Sequence, residues 1–231
     1  MALDDGDSVL EGPFLITTYI EGEAVALGSL LPDRFQHPAA RQRFGEIVVE
    51  KLAELHTLDT EPFSDVCERN SLRDQIEEVV DRMEAAIKVT GHDPPAVWEV
   101  AEWLRDNVPA DSKTVVCHGD FRPGNILFVG ENEPHVGGVI DWETMWLGDP
   151  RTELGYLLLR WRDEGDPTPP IKKIAARHPK TKITEGLGGD NAPNIAPYTA
   201  RLGSPTRQEL VERYQAKTGI AFEHDRFYRT L

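Results

Sequence analysis

The sequence predicts an α/β fold of the α+β type, mostly helical and built around one β-hairpin. Apolar residues recur at helical spacing in three segments between residues 38 and 107, and again after residue 150. Between these segments lie three short, apolar, β-prone runs, at residues 114–117, 126–128 and 136–140, each bounded by polar or turn-forming residues. We therefore expect three helices, then a strand, a polar loop and a hairpin, and then further helices.

The composition excludes several classes of partner. The chain has 231 residues, 39% of them hydrophobic, which is enough for one sizeable core, and we expect a single domain over residues 1–231. A net charge of -15 repels nucleic acid and anionic lipid, so neither is an expected partner. No apolar run approaches the roughly 20 residues of a membrane span, and the first residues do not resemble a signal peptide. We expect a cytoplasmic protein with no membrane partner.

Two residue types give weaker indications. Cys67 and Cys117 are too few and too far apart for a disulfide framework or a zinc cluster, and Cys117 is interpreted as a small core residue. The acid excess, with arginine outnumbering lysine, is typical of proteins adapted to high salt. An ordinary acidic cytosolic protein remains the alternative.

The elements follow in chain order. Residues 8–21 predict two short strands broken at Gly12 and Pro13. Helical periodicity predicts helices from Pro38 to His56, after Ser71 as far as Gly91, and from Pro94 to about residue 107, with Ser71 as an N-cap. After the hairpin, residues 152–161 and 205–217 predict two more helices, and residues 224–231 begin another.

The polar loop carries the residues with the clearest chemistry. Asp120 and Asn125 lie five residues apart in a loop braced by Pro123 and Gly124, and Asp141 follows the third apolar run. The pattern places these three oxygen-bearing side chains at neighbouring strand ends. Carboxylate and amide oxygens are suited to holding a metal–phosphate complex.

These residues also carry a family resemblance. H-G-D-F-R-P-G-N at residues 118–125 fits the H-x-D-x-x-x-x-N loop of the protein-kinase-like fold, and the Gly after the His resembles the aminoglycoside phosphotransferase (APH) family. V-I-D-W-E at residues 139–143 is similar to the segment that stands where protein kinases have D-F-G. Three further segments resemble family motifs in the right order: residues 12–22 the hinge strand, 52–59 the end of the first large-lobe helix, and 148–155 a G-D-P-x-x-D-L-G segment in which Glu153 replaces the usual Asp. The branch that looks closest contains kinase-like domains associated with acyl-CoA dehydrogenases.

The resemblance implies a protein-kinase-like large lobe that uses ATP and Mg²⁺. On this reading Asp120 receives the proton of the acceptor hydroxyl, and Arg122 stabilises charge on the transferred phosphate. Asn125 and Asp141 would be metal ligands that also hold the nucleotide phosphates. The backbone of Thr18, Tyr19 and Ile20 would pass the adenine ring as the hinge.

Five other residues have roles that stay more open. We expect His118 to brace the loop by hydrogen bonding, and Asp149 to anchor it structurally. His56 is expected to be a packed or capping residue. Glu143 is interpreted either as an aid to the metal or as a cap of the following turn. His135 is a candidate only for a metal-dependent hydrolase.

The resemblance also implies missing parts. Only eleven residues precede Gly12, which leaves no room for the small lobe with its Gly-rich loop and lysine, and the family continues beyond residue 228. We therefore expect a large lobe truncated at both ends, with a separate small-lobe chain as one arrangement. Its parts would be residual strands (8–22), the large-lobe core (23–162), a flexible insertion (163–204) and a C-terminal helical segment (205–231). The glycine cluster at residues 186–189 lacks a preceding strand and is not interpreted as a phosphate-binding loop.

Three functions follow from these patterns. The first is an ATP- and Mg²⁺-dependent phosphotransferase acting on a small-molecule hydroxyl, whose acceptor the sequence does not identify. The second is a non-catalytic remnant or pseudokinase large lobe that serves as a binding or interaction domain. The third is a metal-dependent hydrolase that would use His118, Asp120, His135 and Asp141.

Overall fold

The protein contains helices and short strands whose bounds are set largely by local sequence. The computed structural model describes residues 2–4, 14–26, 28–110, 112–167 and 196–231. In these ranges the helices are α1 (Pro38–Leu55), α2 (Leu72–Thr90), α3 (Pro95–Asp106), α4 (Pro150–Arg160), α5 (Arg207–Thr218) and α6 (Asp225–Tyr228). The strands are β1 (Ala2–Asp4), β2 (Phe14–Ile16), β3 (Arg69–Asn70), β4 (Val115–Cys117), β5 (Ile126–Val129), β6 (His135–Val139) and β7 (Trp146–Gly148).

Helix α2 shows the local rules most clearly. The Ser71 side chain accepts a hydrogen bond from the backbone N–H of Asp74, and the Asp74 carboxylate accepts from the Ser71 backbone, which completes a capping box. At the other end, Gly91 adopts a left-handed conformation with φ 67°, as expected for a residue that terminates a helix. The predictions of the Ser71 cap and the Gly91 stop are both confirmed.

Two small sheets frame the polar loop. Strand β4 pairs antiparallel with β7, and β7 pairs parallel with β3. Strands β5 and β6 form the predicted antiparallel hairpin, in which Ile126 lies opposite Val139. The polar loop at residues 118–125 connects the first sheet to the hairpin, so it lies where the two sheets meet. The short strands β3 and β7 had not been predicted.

The N-terminal prediction needs a correction. Strand β2 is shorter than expected, and it pairs with β1 rather than with a strand that starts at residue 8. Residues Thr18 to Ile20 lie outside any strand. The reason is that the chain leaves β2 to join the hairpin, where Glu23 and Phe128 exchange backbone hydrogen bonds of 3.0 and 2.9 Å. Gly12 and Pro13 lie outside the described residues.

The core lies on one face of α1. The ring of Phe44 is fully buried, and it is surrounded by four other aromatic rings whose centroids lie 5.0–6.4 Å away: Phe35, Phe128, Trp161 and Tyr198. Helix α5 packs against α1 through Leu210 and Tyr214 and closes this core. The hairpin, α1, α4 and α5 therefore share one apolar interior, on which the polar loop rests.

Part of the predicted flexible insertion belongs to that core. Tyr198 is 7% exposed and Ala196 is 2% exposed, so the end of the 163–204 segment is packed rather than loose. At the start of the same segment, Asp163 and Asp166 form ion pairs with Arg207 of α5, which attach this end to the core as well. Residues 168–195, with the glycine cluster, lie outside the described residues. None of the described helices is both long and apolar enough to cross a membrane.

Candidate active site

Asp120 is the most heavily bonded side chain of the polar loop. Its Oδ2 accepts hydrogen bonds from Arg122 Nε at 2.8 Å and from Asn125 Nδ2 at 2.9 Å, while its Oδ1 accepts from the phenol of Tyr156. The structure thus brings together Asp120, Arg122 and Asn125, as the sequence predicted.

These contacts set the charge of Asp120. Partial burial by itself would raise the pKa of this carboxyl, but the hydrogen bonds from Tyr156 and Arg122 and the charge of Arg122 outweigh it, and the pKa lies below its usual value. Asp120 is therefore an ionised carboxylate at neutral pH. An ionised, partly exposed carboxylate is in the state that a proton acceptor requires.

Asn125 and Asp141 offer oxygen atoms on the hairpin side. Both amide N–H groups of Asn125 are committed to Asp120, one to its backbone oxygen and one to Oδ2, so the amide oxygen is what Asn125 can offer to a cation. The Asn125 carbonyl accepts from Ile140 N at 2.9 Å, which brings Asp141 in next along the chain. Asp141 is exposed and has φ 72°, a left-handed conformation. An amide oxygen beside an exposed carboxylate is a donor set that fits Mg²⁺.

His118 braces the loop, as predicted. Its Nε2 lies 2.9 Å from the carbonyl of Ile140, and its Nδ1 accepts from Asp120 N at 3.2 Å. Because a carbonyl only accepts, Nε2 carries the proton and the ring is the neutral tautomer with Nδ1 free to accept. His118 therefore fixes the residue before Asp141 to the loop that carries Asp120. It is not placed to act as an acid or base.

Glu153 holds the backbone of the loop from below. Its Oε1 accepts from Gly119 N at 2.8 Å, and its Oε2 accepts from His118 N at 3.0 Å and interacts with His56 Nε2 at 3.0 Å. His56 in turn binds the hydroxyl of Tyr214 through Nδ1 at 2.6 Å. These side chains, which are almost completely buried, thereby connect helices α5, α1 and α4 to the polar loop. The prediction of His56 as a packed residue is confirmed.

Cys117 lies next to this buried network. Its sulfur, a His56 nitrogen and a Glu153 oxygen lie within 4.8 Å of one another, a spacing that metal ligands also show. Burial, followed by the nearby charges of Glu153 and Asp149, raises the pKa of the Cys117 thiol well above its usual value. A protonated thiol is a poor metal ligand, and His56 and Glu153 already have other partners. The interpretation of Cys117 as a small core residue fits this geometry.

The glycine between His118 and Asp120 has a steric reason. Gly119 has φ 87°, and a Cβ at this position would lie 2.2 Å from the carbonyl oxygen of Thr144. Only glycine allows both the left-handed backbone and the close approach of the β6–β7 connection. This approach also lets the Thr144 hydroxyl donate to the His118 carbonyl at 3.2 Å.

Tyr156 and Arg160 are the site residues that the sequence analysis missed. Both lie on α4, one turn apart, and the Arg160 guanidinium stacks on the Tyr156 ring at 4.3 Å while also donating to the phenol oxygen. Burial, and then the bond to Asp120, raise the pKa of Tyr156 to about 12. In the sequence, Tyr156 is distinguished only as an aromatic residue two positions after Leu154, on another face of the predicted helix.

A cavity of about 760 Å³ opens beside the loop. Its wall includes Gly119, which precedes Asp120 in the chain, and Tyr156, which is bonded to Asp120. The wall continues with Thr144, Glu143 and Trp146. Asn70 Oδ1 and Thr152 Oγ1 on this wall are buried and have no hydrogen-bond partner among the described residues. Glu143 itself is exposed.

The hinge residues are close to the hairpin but separate from the Asp120 cluster. Thr18 and Tyr19 are exposed, and Tyr19 is 87% accessible. Ile20 lies against β6, where the absence of side chains at Gly137 and Gly138 makes room for it. A Cβ on Gly138 would lie 2.8 Å from Ile20 Cδ1. The segment thus runs along the hairpin that ends at Asp141.

The hydrolase alternative is not supported by this geometry. His135 is the first residue of β6 and Asp141 lies just beyond its last, so about six extended residues, on the order of 20 Å, separate them. The His135 ring is occupied locally, by the carbonyl of Glu133 at 3.0 Å. His118 has no nitrogen left for a metal, as described above. The four residues therefore do not form one ligand set.

Comparison with known proteins identifies the family of this chain. The family described as "Phosphotransferase enzyme family" (APH) matches residues 1–187, which include the polar loop, the hairpin and α4. The chain belongs to this family. The matched region includes every sequence-predicted site residue.

Curated relatives are much longer proteins. The chain is 32% identical over 131 residues to human acyl-CoA dehydrogenase family member 11, which covers 53% of this chain and 16% of the human protein. It is 31% identical over 158 residues to the chicken protein of the same name, covering 64% of this chain and 19% of that protein. This chain thus spans less than a fifth of these relatives.

Solved structures show the fold. A Ralstonia eutropha protein assigned to the aminoglycoside phosphotransferases superimposes with a TM-score of 0.69 at 24% identity, over 99% of this chain and 62% of that one. An aminoglycoside-3'-phosphotransferase of type VIII superimposes with a TM-score of 0.56 at 18% identity, over 90% and 64% of the two chains. The kinase-like α+β fold that the sequence predicted is confirmed.

Proposed function

We propose that this chain is the large lobe of an ATP- and Mg²⁺-dependent phosphotransferase that acts on a small-molecule hydroxyl. The observation that carries the proposal is the loop cluster: Asp120 is ionised, oriented by three donors and bonded to Asn125, whose carbonyl in turn binds the residue before Asp141. Family membership supports the same reaction class. Phosphoryl transfer asks for little else from protein than positioning and charge stabilisation.

Each residue then has one task. Asp120 orients the acceptor hydroxyl and receives its proton as the hydroxyl oxygen bonds to the γ-phosphorus and the bond to the bridging oxygen of ADP breaks. Asn125 and Asp141 would hold Mg²⁺ by their side-chain oxygens, and the ion would neutralise charge on the phosphates. Arg122, which is about one quarter exposed, keeps Asp120 ionised and places a guanidinium beside the phosphoryl group.

Nucleotide and acceptor would approach from different sides. We assign the adenine to the segment of Thr18, Tyr19 and Ile20, because it runs along the hairpin that ends at Asp141. The acceptor is assigned to the 760 Å³ cavity, because the cavity wall includes Gly119 and Tyr156 next to Asp120.

The test combines binding with transfer. We expect calorimetry to detect ATP binding that requires Mg²⁺, and a coupled assay over a panel of amino-sugar, amino-alcohol, sugar and hydroxyacyl acceptors to detect ADP release. Asp120→Ala should abolish transfer, a loss of about 10²-fold or more, while leaving the fold intact, because a loop carboxylate contributes little to the core.

The matched control is Asp106→Ala, an exposed carboxylate at the end of α3. It should retain transfer and nucleotide binding. Full activity of Asp120→Ala would show that the proton acceptor is misassigned. Absence of nucleotide binding and of transfer in the parent chain would instead favour the non-catalytic interaction domain.

A further inference from the structure

We propose that Tyr156 is a positioning residue, whose phenol selects Oδ1 of Asp120 as the oxygen that receives the acceptor's proton. The inference rests on the proposed function, and it adds a residue that the polar loop itself does not contain. It is carried by the hydrogen bonds that converge on the two oxygens of Asp120.

The direction of the phenol proton is fixed by Arg160. A guanidinium has donors and no acceptor, so the bond from Arg160 Nη2 to the phenol must use a lone pair of the phenol oxygen. The single proton of Tyr156 is then directed at Asp120 Oδ1. Stacking of the Arg160 guanidinium on the ring, 4.3 Å from its centroid, keeps the phenol in this orientation.

Counting lone pairs distinguishes the two carboxylate oxygens. Oδ2 accepts from Arg122 Nε and from Asn125 Nδ2, which uses both of its lone-pair directions. Oδ1 accepts from Tyr156 alone among the described residues. One lone-pair direction therefore remains on Oδ1, and an acceptor hydroxyl that donates to Asp120 must approach this oxygen.

The residue that is bonded to Oδ1 also belongs to the wall of the cavity. Tyr156 contacts Oδ1 and also lines the 760 Å³ cavity together with Gly119. Oδ1 is thus the oxygen that is bonded to a residue of the cavity wall, whereas Oδ2 is bonded to Arg122 and Asn125. Tyr156 thus holds the carboxylate in the rotation that presents its free lone pair to the acceptor.

The first test is Tyr156→Phe, which keeps the ring and its stacking with Arg160 and removes only the hydroxyl. We expect kcat to fall about 10-fold, because the carboxylate is no longer held in its reactive rotation. The KM for ATP and the unfolding temperature should stay unchanged, which a merely structural role of the hydroxyl would not predict. A kcat within twofold of the parent value would overturn the proposal.

The second test does not depend on activity. In protein labelled with ¹³C at tyrosine Cζ, the Tyr156 signal is the one missing from Tyr156→Phe, and it should shift in Asp120→Ala but not in the control Asp106→Ala. An unshifted signal in Asp120→Ala would contradict the hydrogen bond and overturn the proposal even if transfer is observed.

The two readouts separate the proposals. The Tyr156 signal could shift in Asp120→Ala although the parent chain transfers phosphate to no acceptor. That result would refute the proposed function. It would reduce the Tyr156–Asp120 bond to a structural contact, so the positioning role would fail with it. A normal parent activity with an unaffected Tyr156→Phe variant would overturn the positioning role alone.

Discussion

At the scale of single residues, the polar loop depends on a buried carboxylate of α4 that accepts hydrogen bonds through both of its oxygens. Glu153 is 3% exposed and accepts hydrogen bonds through both oxygens from the backbone of the loop and from His56. The longer side chain, where the family usually has Asp, still reaches the same two backbone N–H groups. The loop geometry at Asp120 thus depends on a residue of α4 that binds the loop backbone at His118 and Gly119.

Replacing Glu153 by Gln provides a test at this scale. The amide would turn an N–H group towards backbone N–H donors, leaving at least one of them buried and unpaired. We expect a loss of about 1–3 kcal/mol in the free energy of unfolding, measured by urea denaturation, and a fall in transfer rate.

The control for this variant is Glu143→Gln, since Glu143 is exposed. Its free energy of unfolding should stay within about 0.5 kcal/mol of the parent value. If Glu153→Gln unfolds at the same urea concentration as the parent chain, the loop does not depend on this carboxylate for its stability.

At the scale of elements, caps and close contacts fix the helices that support the site. Helix α5 begins with a second capping box, formed by Thr206 and Glu209, and its Tyr214 reaches His56. Helix α4 begins at Asp149, whose side chain accepts from Arg151 N and also pairs with the Arg151 guanidinium. Helix α4 carries both Glu153 and Tyr156, so its placement brings both side chains to the loop.

The capping box of α2 gives an element-scale prediction. Ser71→Ala removes the oxygen that satisfies the N–H of Asp74, and we expect the free energy of unfolding to fall by about 1 kcal/mol. Ser71→Asn keeps a capping oxygen and should restore most of that loss. Both variants are compared by urea denaturation, and equal stability of Ser71→Ala and the parent chain would show that the cap contributes nothing measurable.

At the scale of the whole molecule, ion pairs join segments that are distant in sequence. Asp166 accepts hydrogen bonds from both terminal nitrogens of Arg207, and Arg213 of α5 binds Glu46 and Glu50 of α1. The hydrogen bonds from Arg207 lower the pKa of Asp166. These pairs attach the C-terminal helical segment to the rest of the large lobe.

The Asp166 pair predicts an acid sensitivity. Because the carboxyl has a lower pKa in the folded state than in the unfolded state, its contribution to stability is present above the unfolded pKa, near 4, and is lost as the pH falls through the folded value. We expect Asp166→Asn to unfold at a lower temperature than the parent chain at pH 7. The difference between the two should shrink at pH 3.

The matched control for the pH experiment is Asp106→Asn, whose carboxyl makes no ion pair among the described residues. Its unfolding temperature should follow that of the parent chain at both pH values. A constant difference between Asp166→Asn and the parent chain from pH 7 to pH 3 would contradict an ionic contribution of Asp166.

The parts predicted correctly from the sequence are those with local causes. The 3.6-residue periodicity and the Ser71 and Gly91 signals predicted α2 to within a residue, and the apolar runs at residues 126–128 and 136–140 predicted the hairpin. Strands β3 and β7 have only two and three residues, too short to show a period. The hinge was expected on a strand, but Thr18 to Ile20 lie outside any strand, and the backbone pairs with the hairpin further along, at Glu23.

The site divides in the same way. The spacing of Asp120, Arg122 and Asn125 determined by itself that these residues share one loop, because the loop is too short to separate them. Only the tertiary structure decided that Glu153, His56 and Tyr214 hold the loop from below, and that Tyr156 reaches Asp120 from α4. These contacts join residues from 34 to 158 positions apart. They depend on how α1, α4 and α5 pack in the shared core, which local sequence patterns do not encode.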